Sequence, residues 1–178
     1  GSAYPDTWGY PKYRELQYGH ADGNQWVAAE CDVSIRPGWF YHPEEDDKVK
    51  TVDQLTDLYY RSVGHNATLL LNFPVDRNGL IHPTDSLNAV SFHQRVQKEL
   101  ADNLLSSAKV SASDERGGQF KVRAVTDGKY DTYWATNDGV TTADLTFTFS
   151  QPTKMNRVMI QEYIPLGQRV KSFVVEYK

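Results

Sequence analysis

Two kinds of hydrophobic patterning share this chain, one before about residue 106 and another after it. Residues 25 to 35, QWVAAECDVSI, mix β-branched and small apolar side chains and predict a strand. RPGWFYHPEEDDK then breaks it, because Pro37 and Pro43 cannot donate to a ladder and Gly38 permits unusual backbone angles. In TVDQLTDLYYRSVGHN, Val52, Leu55, Leu58 and Tyr59 recur at helical spacing. Thr51 with Gln54 three residues on fits a capping box, and Gly64 is placed to close the helix. ATLLLNF is a short continuous apolar run, the pattern of a strand buried on both faces of a parallel sheet. PVDRNGLIHPTDS reads as turn chemistry. LNAVSFHQRVQKELADNLL predicts a second helix, with Leu87, Val90, Val96 and Leu100 among its apolar positions. The opening, residues 1–24, is rich in Gly, Pro, Tyr and charge and reads as loop.

Strand, loop, helix, strand, loop, helix is the order of a parallel sheet with covering helices, either an open doubly wound sheet or part of a (β/α)8 barrel. Both architectures bind their ligands at the C-terminal ends of strands. Trp39, Phe40 and Tyr41 follow such a strand end, so three adjacent aromatics are expected on the binding face. From about Ser106 the pattern becomes short β-prone runs separated by turns, with strands expected over 145–149, 157–161 and 172–177. An all-β domain is therefore expected over residues 106–178, joined near Ser106-Ser107-Ala108 to an α/β domain over 1–105. Two β/α units do not close an eight-unit barrel of roughly 250 residues, and a sandwich usually takes about 100, so each domain is expected to be partial.

Charge and composition narrow the classes of partner. The 178 residues carry a formal net charge of −4, and the Lys and Arg residues are scattered rather than gathered in a stripe. No nucleic-acid partner is expected from that distribution. Cys31 is the sole cysteine, which leaves no disulfide framework and suits plain apolar filling. No apolar run approaches the ~20 residues of a membrane span, and the leading Gly1-Ser2 reads as a cloning remnant rather than a secretion signal. The acidic run Glu44-Glu45-Asp46-Asp47 suits a solvated segment before a helix N-terminus better than a cation site. His65, His82 and His93 lack metal-ligand spacing. Asn66-Ala67-Thr68 is a glycosylation sequon, expected to stay unmodified because it opens a buried strand.

Two segments carry a family resemblance: E-x-D-V-S-I-R-P-G-W-F-Y-H, from Glu30 to His42, and Y-Y-x-S-V-G-x-N-A-x-L-L-L-N-x-P, from Tyr59 to Pro74. With them, roughly residues 25 to 100 resemble the C-terminal part of the catalytic barrel of glycoside hydrolase family 29, the α-L-fucosidases. The likeness is to the subfamily that prefers α-1,3- and α-1,4-linked fucose. VTDGKYDTYWAT, residues 125–136, separately resembles the discoidin or coagulation-factor type-C β-sandwich. The implied fold is α/β, a portion of a (β/α)8 TIM-like barrel, followed by an all-β discoidin-like module. The implied activity is exo-acting removal of terminal fucose from glycans with retention of configuration, by an Asp nucleophile and a Glu acid/base about 5 Å apart.

Neither catalytic carboxylate is identified by the motifs. The family's Trp-x-Asp-Gly type motif does not occur, and Pro5-Asp6-Thr7 runs straight into Trp8-Gly9-Tyr10 where the subfamily has an R-W-V-G-N-E type segment. Trp39 does carry over, as the aromatic that packs on the C5-methyl side of fucose, an apolar edge that an indole face covers. Arg36, at the strand end, is expected to hydrogen-bond a sugar hydroxyl or to orient a neighbouring carboxylate. Glu30 reads either as a ligand of sugar hydroxyls or as an interior carboxylate paired with Arg36. Phe40, Tyr41 and His42 are expected to brace the loop. In the β domain, Asp127, Gly128 and Thr132 resemble a segment that wraps a structural calcium, with an Asx turn as the metal-free alternative, and Trp134 is expected to anchor the sandwich core. Catalysis is expected to need no cofactor. The implied partners are fucosylated oligosaccharides or glycoconjugates, in a secreted or periplasmic setting. The alternative reading is a non-catalytic carbohydrate-binding or adhesion fragment.

Overall fold

A computed structural model describes residues 2–3, 20 and 22–177, and the chain divides into two compact units, residues 1–101 and 102–178. Most of the expected opening loop, including Pro5-Asp6-Thr7 and Trp8-Gly9-Tyr10, lies outside the described residues.

The first unit has β1 (Ser2–Ala3), β2 (Gln25–Trp26), β3 (Ala29–Ser34), α1 (Val52–Ser62), β4 (Ala67–Asn72) and α2 (Pro83–Glu99). The single strand expected over 25–35 is two, because its ends pair with different partners: β2 runs antiparallel to β1, while β3 runs parallel to β4. The parallel register goes from Ala29 opposite Ala67 to Ser34 opposite Asn72. The ladder extends one step through the Ile35 amide, which donates to the Asn72 carbonyl at 3.0 Å. With α1 as the crossover, this is a β/α/β/α unit.

The capping box at Thr51 is present: Gln54 N–H donates to Thr51 Oγ1, and Thr51 N–H donates to the Gln54 side chain at 2.9 Å. The helix end differs from expectation. Gly64 lies inside a 3-10 turn, Val63–His65, and Asn66 takes the left-handed conformation at φ 62° that returns the chain to β4. Asn tolerates that conformation because its short polar side chain costs little there. The second helix begins four residues earlier than expected, with His82 capping and Pro83 in the first turn. Proline suits that position, since its missing N–H is one of the helix's unpaired donors in any case. The helix ends at Glu99, and residues Leu104–Ser107 form a separate 3-10 turn.

The apolar core of this unit is small: Ile35, Val49 and Leu55 are buried together, with Leu58, Leu71, Phe73 and Phe92 packed on them. Strand β4 is not buried on both faces. Leu69 and Leu71 are partly covered, but Thr68 and Leu70 are exposed, alongside Glu30 and Asp32 of β3. Asn66 is exposed as well, so the sequon does not sit on a buried strand here.

The second unit pairs β5 (Lys109–Ala112) with β6 (Leu145–Thr148) antiparallel, Lys109 opposite Thr148 and Ala112 opposite Leu145. Residues 145–148 are thus a strand as expected. Residues 157–161 and 172–177 form no ladder, because a β-prone run becomes a strand only where a neighbour takes its hydrogen bonds. Trp134 is partly buried, and its indole N–H donates to the Asp114 carbonyl at 3.1 Å. Beside it, Phe120 lies 5.1 Å from Tyr133, which stacks on Tyr163 at 4.6 Å.

Candidate functional site

The loop after β3 is held from beneath by one buried cation. The Arg36 side chain has no exposed surface, and its Nε and Nη2 donate to the two oxygens of Asp85 at 2.8 and 2.9 Å. Nη1 makes an ion pair with Asp46 at 2.9 Å and donates to the His42 carbonyl at 3.4 Å. Asp85 is also fully buried, in the first turn of α2, where the unpaired helix amides favour a negative charge. The hydrogen bonding of the guanidinium to Asp85 is the largest of the influences that raise the Arg36 pKa above its usual value, so the guanidinium is a permanent cation. A planar fork fits this bidentate task where a lysine ammonium does not.

Around that pair the loop closes on itself. Tyr41 lies 4.7 Å from the Arg36 guanidinium and its hydroxyl donates to Asp46 at 3.3 Å. Burial, reinforced by the negative charge of Asp46, pushes the Tyr41 phenol up, so it keeps its proton. His82 Nδ1 accepts the Thr84 amide while Nε2 faces Asp46 at 3.5 Å. From the strand side, Asn72 Nδ2 donates to Ser34 Oγ and to the Trp39 carbonyl, at 3.2 and 3.0 Å. Lys50 Nζ donates to the Ser34 carbonyl at 2.7 Å.

On this frame Trp39 and Phe40 are presented outward, 49 % and 78 % exposed. The Trp39 carbonyl is held by Asn72 while its ring is half exposed, which is the form of a platform for an apolar sugar edge. Tyr41 braces the loop with its side chain and His42 with its carbonyl; Phe40 does neither. Arg36 orients carboxylates and is turned inward rather than toward the platform. Glu30 is not paired with Arg36, whose partners are Asp85 and Asp46. It sits near the start of β3, opposite Thr68, five residues before the ladder's end at Ile35. At about 3.3 Å per residue that is roughly 16 Å from the strand end where the loop begins. Within the acidic run, Asp46 is drawn into the Arg36 network rather than solvated.

Asp85, which the sequence reading did not single out, and His82, considered there only as a metal ligand, both support the loop. The signal was available in HPTD: proline in a first helical turn with a carboxylate two residues later.

In the second unit, Asp127 accepts the Lys129 amide at 3.0 Å and the Thr132 hydroxyl at 2.8 Å. The Lys129 amide first, then Thr132, hold the Asp127 carboxyl below the usual carboxylate range. This is Asx-turn geometry. A calcium ion takes six to eight oxygens, whereas here both carboxylate oxygens are engaged by donors. Among the described residues no group of three acidic, His or Cys side chains is placed to hold a metal.

Residues 108–178 match the F5/8 type C domain. An Oryza sativa subsp. japonica protein provisionally named α-L-fucosidase 1 is 41 % identical over 170 residues, covering 93 % of this chain and 32 % of that protein. The chain spans about a third of the length of the curated relatives it matches, their C-terminal part. Among solved structures, a provisionally named α-L-fucosidase of Bacteroides thetaiotaomicron has TM-score 0.74 and 48 % identity, over 78 % of this chain and 30 % of that one. A Ruminococcus gnavus glycoside hydrolase family 29 fucosidase in complex with fucose has TM-score 0.66 and 36 % identity, over 71 % and 26 %. The chain therefore has α-L-fucosidase homologues and family 29 structural neighbours, and it carries an F5/8 type C domain.

Proposed function

We propose that the chain is part of an exo-acting α-L-fucosidase that releases terminal α-1,3- or α-1,4-linked fucose from branched glycans with retention of configuration. Residues 1–105 supply the final portion of a (β/α)8 barrel, and Trp39 covers the methyl-bearing edge of the sugar. The observation that carries this reading is the fixed aromatic platform at the C-terminal end of a parallel strand, in a chain whose relatives are named fucosidases. The fucose held by the Ruminococcus gnavus neighbour supports the choice of sugar. The reaction acts on glycans outside the cytoplasm, in a secreted or periplasmic setting.

The test is time-resolved proton NMR of the protein with an α-1,3/1,4-fucosylated oligosaccharide and with matched galactosides and xylosides. Free fucose appearing first as its α-anomer supports the reading. Release of another sugar in preference, or fucose appearing first as the β-anomer, rejects it. The F5/8 type C domain favours a second reading, a non-catalytic glycan-binding fragment. Glycan binding without turnover selects that one.

A further inference from the structure

We propose that a basic hollow in the second unit binds the anionic substituent of a glycan, a carboxylate or a sulfate carried on a sugar ring. The hollow has a volume of about 510 Å³ and is lined by Gln119, Lys121, Arg123, Asp127, Lys129 and Thr132. That volume is within the usual range of small-molecule sites, about 300 to 1,000 Å³.

Local structure explains how three cations come to share one concavity. Lys121 immediately precedes the 3-10 helix Val122–Thr126, on which Arg123 sits. Asp127 then opens the Asx turn, and Gly128, at φ 72°, reverses the chain so that Lys129 returns to the same hollow. A side chain at position 128 would be strained in that conformation. The one carboxylate in the lining is already satisfied by the Lys129 amide and the Thr132 hydroxyl. Lys129 and Arg123 lie close enough to Asp127 for both charges to lower its pKa. No ion pair or hydrogen bond among the described residues engages the ammonium of Lys121 or Lys129 or the guanidinium of Arg123.

The result is an excess of positive charge facing open space in a chain whose formal net charge is −4. Cations gathered in this way attract an anion. Arg123 offers a planar fork for a carboxylate or sulfate, and Gln119 and Thr132 offer the neutral polar atoms that sugar hydroxyls need. Tyr130, next after Lys129, is 82 % exposed and supplies an aromatic ring beside the basic segment. A sugar suits this combination better than a membrane, since the charges converge on a hollow instead of spreading over a flat face. The inference does not depend on fucose release.

Calorimetry of the protein at low salt tests it with three oligosaccharides of one neutral backbone: unsubstituted, carboxylated and sulfated. At least one charged form is expected to bind about tenfold or more tightly than the neutral one, with affinity falling as salt rises. The arm that binds assigns carboxylate or sulfate. Arg123→Gln with Lys129→Gln is expected to bring the charged sugar down to the neutral affinity, while Lys109→Gln, outside the hollow, leaves it unchanged. Amide shifts over residues 119–132 on titrating the unmodified protein locate the site even if the double variant fails to fold. Equal affinity for charged and neutral sugars, or shifts confined to other residues, overturns the proposal. So does inorganic sulfate binding as tightly as the sulfated sugar, or phosphatidylserine vesicles outcompeting both charged sugars.

Discussion

Arg36 and Asp85 have no exposed surface, and neither charge has water to fall back on. Removing one member of such a pair leaves the other buried and uncompensated, which costs about 3–5 kcal/mol. Asp85→Ala is therefore expected to lower the urea midpoint of the first unit sharply, and Arg36→Met with Asp85→Leu to cost less than the single change. Trp39 is the opposite kind of residue, half exposed, with its carbonyl rather than its ring in the hydrogen-bond network. If it covers the sugar, Trp39→Ala lowers kcat/KM for fucosides by about tenfold or more while leaving the melting temperature nearly unchanged. A large stability loss with unchanged kcat/KM would assign it to packing. Asp76 gives the pH dependence. It accepts the amides of Leu80 and Asn78, and the Leu80 bond is the main reason its pKa is lowered. A depressed folded pKa means stabilisation that is present above the unfolded value of about 4 and lost as pH falls through the folded one. The stability difference between the protein and Asp76→Ala is expected to be constant near neutrality and to shrink below about pH 4, as read from urea midpoints across pH.

At the scale of elements, local chemistry is strong where side chain and backbone act within a few residues. Thr51 and Gln54 specify the start of α1, and Thr51→Ala is expected to cost about 1 kcal/mol. Asn66, at φ 62°, specifies the turn into β4, so Asn66→Gly is nearly neutral and Asn66→Val costs about 1–2 kcal/mol, both readable by thermal unfolding. The capping box was legible from spacing, whereas the turn at Asn66 was not read, because Gly64 two residues earlier offered the commoner helix-closing residue. Partner choice was not legible. The run from Gln25 to Ile35 has one hydrophobic pattern, yet β2 and β3 answer to different ladders. The start of α2 at Pro83 was missed although HPTD carries the signal, because the residues of a turn and of a first helical turn are the same types.

For the whole molecule, apolar exposure sets the expected solution behaviour. Leu70 is 51 % exposed on the open face of the parallel pair, and Phe173, Val174 and Tyr177 are 64 %, 83 % and 99 % exposed in the second unit. Exposed apolar surface on that scale binds hydrophobic dyes. The 178-residue chain is expected to enhance anilinonaphthalene sulfonate fluorescence, and Phe173→Ser with Val174→Ser to reduce it; no change on substitution would place the dye elsewhere. By itself, the sequence determined the local devices and the kind of site: the capping box, the helical period of α1, the strand after Asn66, and an aromatic loop at a strand end. Those depend on interactions within a few residues, which spacing records. Only tertiary structure decided that Arg36 turns inward to Asp85, 49 positions away, that Glu30 lies at the other end of its strand from Trp39, and that three cations of the second unit meet in one hollow. Those outcomes rest on which distant groups compensate a buried charge or satisfy a backbone donor, and no local period encodes that choice.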